Sequence, residues 1–194
     1  MSWVTVVWSL LSGLASLVVG IVTGSLSLGG LGAGVLIDVV SSAVLIWRFR
    51  RQRAHGAFPE AAERRAQRVA ALGLLAIAVA LTASAIDHLV SADHPDVSVL
   101  AMALAGVNVV VLPVLARWKY AVATRVASRA LRTDAHITMV GTATAVLSVV
   151  GLAVARAWGW WWADSAAALG IAVIAASQGR RSLPFVAPPD ELQA

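Results

Sequence analysis

The sequence predicts an all-α membrane protein of six transmembrane helices, and three observations lead there. Of the 194 residues, 59% are hydrophobic and 13% are charged, against roughly a quarter charged in ordinary globular domains. Mean hydropathy is +0.82. The apolar residues fall into six runs of about the 20 residues that a helix needs to cross a bilayer core, and the basic residues gather in alternate connections between those runs.

The first run covers 3–23. It has neither a basic leading segment nor a small-residue cleavage site, so it is expected to be a retained span and not a signal peptide. A short "TGSLS" turn leads into the second run, 26–47. After a polar stretch come 69–89 and 97–116; a basic connection then leads to 134–155 and 160–177. The domain organisation is therefore one transmembrane domain over 1–183, followed by a polar, proline-rich tail over 184–194 that is expected to be mobile.

Orientation follows from the arginines. Seven basic residues lie in "RFRRQRAHGAFPEAAERRAQR", five in "RWKYAVATRVASRALR" and two in "GRR" after the sixth run, which leaves only Arg156 of fifteen. The positive-inside rule puts both termini and these connections in the cytoplasm, with the plasma (inner) membrane as the expected location. The net charge of +5 is then a topology signal and an attraction to anionic lipid. A nucleic-acid partner would need a soluble basic face, and the pattern offers none. Trp47 and Trp118 mark one interface, while Trp158 and Trp160 to Trp162 mark the other, as ring anchors at headgroup depth.

Within the spans the polar groups carry the functional signal. Asp38 lies near the middle of the second run, where an aspartate costs about 2.5–3.5 kcal/mol on insertion scales. Ser41 and Ser42, at i+3 and i+4, share its face. Asp38 is a candidate metal or proton site; the alternative is a protonated carboxyl bonded to a neighbouring helix. Asp134, at the mouth of the fifth run, is either a second site group or a dipole-stabilised helix cap. His136, slightly deeper, suits metal binding or proton transfer, or rests as an interfacial histidine. Thr138, Thr142 and Ser148 read as helix-packing hydroxyls.

On the outer side, "IDHLVSADHPD" brings Asp87, His88, Asp93, His94 and Asp96 together, as a possible outer cluster for divalent ions or a solvated acidic turn. Asp164 reads as the N-cap of the sixth helix. Gly30 and Gly34 form a small-residue face for close helix approach, against the fifth span or a second protomer. Asn108 and Pro113 suggest a polar contact and a kink in the fourth span. The chain has no cysteine, which excludes disulfides, thiolate metal sites and thiol catalysis. It also has no phosphate loop, no nucleophile–base pair and no soluble domain to hold a substrate, so an enzyme is not expected.

The intramembrane acid in "DVVSSAVLIWRFR", the "SRALRTDA" leading into the fifth span and "GWWWADSAAALGIAVI" at the sixth together resemble the cation diffusion facilitators. The likeness runs from about Val4 to Leu183. It is nearest to the divergent, tail-less branch that includes an animal synaptic-vesicle zinc-transport protein. The resemblance implies a cation-diffusion-facilitator-like transmembrane domain. It also implies transport of zinc or another divalent cation in exchange for protons by alternating access, with no permanently bound cofactor and a homodimer formed through membrane helices.

The family's site is an Asp-x-x-x-Asp pair on span two facing a His-or-Asp-x-x-x-Asp pair on span five. Carried over, Asp38 matches the second aspartate of span two, but Gly34, Ile137 and Gly141 stand at the other three positions. His136 is one residue out of phase with Ile137, about 100° round the helix. The family's soluble metal-binding domain has no counterpart after Ser182 in this sequence. Two readings follow: a minimal cation efflux protein working through Asp38 with His136, Asp134, Asn108 or a symmetry mate, or a non-transporting membrane scaffold that keeps the fold.

Overall fold

The computed structural model describes residues 2–55, 60–91, 98–125 and 129–182. They form six α-helices: α1 (Ser2–Thr23), α2 (Leu26–His55), α3 (Glu60–Ser91), α4 (Val99–Arg125), α5 (Arg129–Trp158) and α6 (Ala163–Ser182). No strand occurs among the described residues. The 184–194 tail lies outside them.

Most helices outrun the apolar stretches that predict them. α2 continues past 47 to His55, α3 begins at Glu60 instead of 69, α4 runs past 116 to Arg125, and α5 starts at Arg129 instead of 134. Hydropathy marks where the hydrocarbon ends. Helix continues beyond it because the flanking Arg, Gln, Glu and Ala are strong helix formers.

α6 differs in the other direction. Its predicted start at 160 moves to Ala163, because Gly159 adopts a positive φ of 67° that closes α5. The tryptophans then form a turn in which the Ala163 amide donates to the Trp160 carbonyl at 3.0 Å. Five helices, α1 to α5, are long and apolar enough to cross a membrane by length and composition. α6 is built largely of alanine and ends in Gln178, Gly179, Arg180 and Arg181, so its sequence is milder. It compensates by turning many small residues inward, including Ala167, Ala168, Ala172 and Ala175, beside the larger Ile171.

α2 sits at the centre and touches all five other helices. The principal helix pairs are α1 with α2, α4 with α5, and α3 with α6. One core joins Leu28, Leu31 and Val35 of α2 to Ala101, Ala105 and Leu112 of α4 and Ala145 and Leu152 of α5. A second joins Leu74, Ala78 and Leu81 of α3 to Ile171, Ala172 and Ala175 of α6. Large apolar side chains such as Leu11, Ile21, Val22, Val79 and Val110 face outward, as a lipid-facing surface requires. Trp158, Trp160 and Trp162 line one end on the outside, and Trp160 and Trp162 stack at 5.2 Å.

Glycines bring α1 onto α2. Gly24, at a φ of 69°, makes the tight turn between them. A Cβ on Gly20 would lie 2.5 Å from the Gly29 amide nitrogen, and one on Gly32 would overlap the backbone of Leu17 and sit 2.8 Å from the Gly13 carbonyl. Of the two partners expected for the Gly30 and Gly34 face, the fifth span is not the one that meets it within the chain. Gly30 lies under the Leu81 and Ile171 side chains, and a Cβ on Gly34 would meet nothing within 4 Å. Closest backbone approach belongs to the α1–α2 pair.

Asp164 also departs from its predicted role. It lies in the first turn of α6, but its carboxylate caps α2. Oδ2 accepts from the Leu26 amide at 2.8 Å and the Ser27 amide at 3.4 Å, and Oδ1 accepts from the Ser25 hydroxyl at 3.0 Å and from the Ser27 hydroxyl. Ser148 of α5 joins through Ser27 at 3.2 Å. The orphan amides at a helix N-terminus attract negative charge, and here another helix supplies it. On the opposite flank Asn108 of α4 holds α1, accepting from the Ser12 hydroxyl at 2.7 Å and donating to Ser16 at 3.5 Å.

The glycine geometry gives a paired expectation for thermal unfolding of the purified protein. Gly32→Ala, which forces a methyl into α1 backbone, costs about 1–3 kcal/mol. Gly34→Ala, which meets open space, is neutral or stabilising by up to about 1 kcal/mol through helix propensity. Equal effects at the two positions would contradict the close α1–α2 contact.

Candidate functional site

α2 packs on α5, and α4 flanks α5. On α2, Asp38 and Ser42 are four residues apart and share a face; on α5, Asp134 and Thr138 do the same. The two pairs interleave in opposite order, as antiparallel helices require. Ser42 donates to Asp134 Oδ1 at 2.9 Å. Thr138 Oγ1 lies 3.2 and 3.3 Å from the two carboxylate oxygens of Asp38, and 3.1 Å from its own helix carbonyl at Asp134.

Lys119 of α4 reaches into the gap between the acids. Its Nζ is 3.0 Å from Asp134 Oδ2 and 3.4 Å from Asp38 Oδ2, and it donates to Thr138 Oγ1 at 2.8 Å and Ser42 Oγ at 3.0 Å. Four oxygens from two helices thus surround one ammonium. The hydroxyls accept from Lys119 and pass their own protons toward the carboxylates, so the five side chains form one connected network. All three charged side chains are enclosed, at 8%, 10% and 12% exposure for Asp38, Asp134 and Lys119. Their formal charge sums to −1. Burying two acids with one base is tolerable only with such mutual pairing.

The structure brings Asp38 and Asp134 together but not His136. His136 is exposed, with its ring set edge-on to Tyr120 at 6.4 Å. The Arg132 guanidinium covers that tyrosine at 5.6 Å. Asp87 is exposed and His88 half-buried near the far end of α3, while Asp93, His94 and Asp96 lie outside the described residues. Ile137 is half-buried, and a Cβ on Gly141 would touch only Leu112 at 3.6 Å. Nothing polar fills the family positions at 34, 137 and 141. Among the described residues no group of three or more His, Asp or Glu is placed to hold a metal ion. The donors at this site are two carboxylates and two hydroxyls.

Sequence reasoning assigned Lys119 to a basic connection and missed it. One signal was present: Lys119 is the sole lysine among fifteen basic residues. A compact, point-like ammonium with three donors on a flexible stem can sit at the centre of four oxygens.

The site and the bundle around it fall within one match to known families: residues 2–183 fit the family model described as the cation efflux transmembrane domain.

Charge balance predicts an unequal outcome for single substitutions. Lys119→Met leaves two buried carboxylates facing each other and costs about 3–5 kcal/mol. Asp38→Asn leaves a neutral Lys119–Asp134 pair and costs clearly less. Chemical or thermal unfolding in detergent ranks the two, and the reverse order would contradict the network.

Proposed function

The chain belongs to the cation efflux family, and from that premise we propose that it carries a divalent cation across the membrane through the Asp38–Asp134 pair. One observation supports this above the others: two buried carboxylates and two hydroxyls from α2 and α5 surround a single point already occupied by positive charge. In this reading Asp38 and Asp134 are the anionic ligands, and Ser42 and Thr138 are neutral oxygen ligands that also orient them.

The oxygens lie 2.8–3.4 Å from Nζ, whereas metal–oxygen bonds run at about 2.0–2.6 Å. The site therefore contracts by roughly half to one ångström around a metal. An all-oxygen donor set suits manganese or magnesium-like ions better than zinc, which favours nitrogen and sulfur, although zinc also accepts carboxylates. Proton exchange uses the same carboxylates on the metal-free return. Alternating access opens the site in turn toward the arginine-rich end and the tryptophan end of the bundle.

The arrangement of basic residues supports cytoplasmic termini in the plasma (inner) membrane, and the outward apolar faces leave room for a homodimer through membrane helices. The "DVVSSAVLIWRFR" and "SRALRTDA" stretches support placement in the tail-less branch. We read the protein as a transporter and not an enzyme. A second reading, a non-transporting scaffold, draws support from Lys119, which already compensates the acids without any metal.

Flux into proteoliposomes separates the two. Manganese or zinc uptake under an imposed proton gradient is expected for the wild type and lost, by about tenfold or more, in Asp38→Asn and Asp134→Asn. Absence of flux of manganese, zinc, cobalt and iron from folded wild-type protein would favour the scaffold. Orientation is checked separately in this cysteine-free chain. Single cysteines at Ala57 and Ser91 should react with an impermeant maleimide from opposite sides of the membrane.

A further inference from the structure

The position a substrate cation would take is the position of the Lys119 ammonium. Resting on the reading of Asp38 and Asp134 as cation ligands, we infer that Lys119 is a tethered counter-ion: it fills the site of the empty carrier and must withdraw before a divalent cation binds. Occupancy thus switches between an internal monovalent charge and an external divalent one.

Charge counting carries the first step. The two carboxylates supply −2. With the ammonium in place only −1 is left, too little for a dication; with the ammonium withdrawn, a dication is balanced. Holding both cations among the same four oxygens sets like charges within a few ångströms in a medium of low dielectric, which strongly disfavours double occupancy.

Attachment carries the second step. The acids and hydroxyls sit on α2 and α5, but the ammonium comes from α4, so it leaves without taking a ligand with it. Its side chain retains 12% exposure. Lys119 lies six residues before the end of α4 at Arg125, roughly 9 Å along the helix, and a lysine stem can turn toward the interface.

A conformational consequence is built in. Of the helix pairs in contact, α4 with α2 is the slightest. Lys119 bridges it through Asp38 at 3.4 Å and Ser42 at 3.0 Å. Exchanging ammonium for metal cuts this tie and leaves α2 bound to α5 through the shared ion. Cation binding therefore removes the polar tie between α4 and α2 and leaves their apolar contact alone to hold them, which links occupancy of the site to the packing of a helix.

Because Lys119 is the sole lysine, the exchange can be followed in the wild-type protein. Full-length protein in nanodiscs is treated with an amine-acetylating reagent with and without manganese, then with zinc, and acetylation of the Lys119 peptide is read by mass spectrometry. Metal is expected to speed acetylation of Lys119 several-fold and to leave the N-terminal amine unchanged. No change, or protection by both metals, overturns the inference.

Binding to variants supplies the second arm. Lys119→Met, purified with manganese present, should bind manganese about tenfold or more tightly than wild type and melt higher as manganese is added. Lys119→Arg, which keeps the charge, should show no such gain, and Asp38→Asn in the Lys119→Met background should abolish it. Equal or weaker binding by Lys119→Met overturns the inference. Wild-type flux, measured in parallel, separates the two failures. Flux without metal-enhanced acetylation rejects the counter-ion alone; metal-enhanced acetylation without flux rejects transport and keeps the exchange; neither rejects both.

Discussion

Two carboxylates enclosed by membrane helices are sustainable only if positive charge and hydrogen-bond donors reach them, and in this protein a single ammonium meets that need. Three helices are committed by the arrangement: α2 and α5 must be antiparallel neighbours for Asp38 to meet Thr138 and Ser42 to meet Asp134, and α4 must flank them for Lys119 to arrive. The α1–α2 and α3–α6 packing then encloses this polar centre. Glycine and alanine dominate these contacts because lipid gives helices little hydrophobic reason to associate, so close van der Waals approach must do so instead. Gly32 against the Leu17 backbone and the buried alanines of α6 are the two clearest cases.

The polar groups divide into two sets by their degree of satisfaction. Asp164 is saturated by two amides and two hydroxyls at a helix N-terminus. It is structural, and a substrate would find no free lone pair of use there. Asp38 is held by one threonine hydroxyl and a lysine at 3.4 Å, a looser set than that around Asp164. Equal burial thus conceals unequal availability, and the looser acid is the functional candidate.

Much of this was legible in the sequence. The apolar runs marked α1 to α5 because hydrocarbon thickness imposes a length on them, and Asp38 stood out because an unpaired midplane acid is costly. Helix ends were not legible, since charged helix formers carry the helix beyond the bilayer without any hydropathy signal. Asp134 remained ambiguous between cap and site because its partner, Ser42, is distant in the chain. His136 looked suitable by chemistry, yet phase along α5 turned it outward to Tyr120. Lys119 was hidden for a different reason: in a membrane sequence a basic residue near a span end reads as a topology marker, and only tertiary structure distinguishes one that points inward. Asp164 likewise gave no sign that the helix it caps would be α2 and not its own.

The capping of α2 by Asp164 has a mechanical consequence. It pins the first turn of α2 to α6 and, through Ser148, to α5, while the opposite half of α2 is tied to α4 by the lysine bridge. With the lysine bridge released, α2 would stay pinned at one end and move as a lever. Asp38 lies twelve residues from Leu26, an arm of roughly 18 Å. A tilt of only about three degrees about the pinned end therefore carries the carboxylate by roughly 1 Å, the contraction that separates an ammonium cage from a metal cage. On the proposed reading, exchange of one cation for another needs only the pivot of a rigid helix, with the serine–aspartate knot as the fulcrum and no unwinding of the backbone.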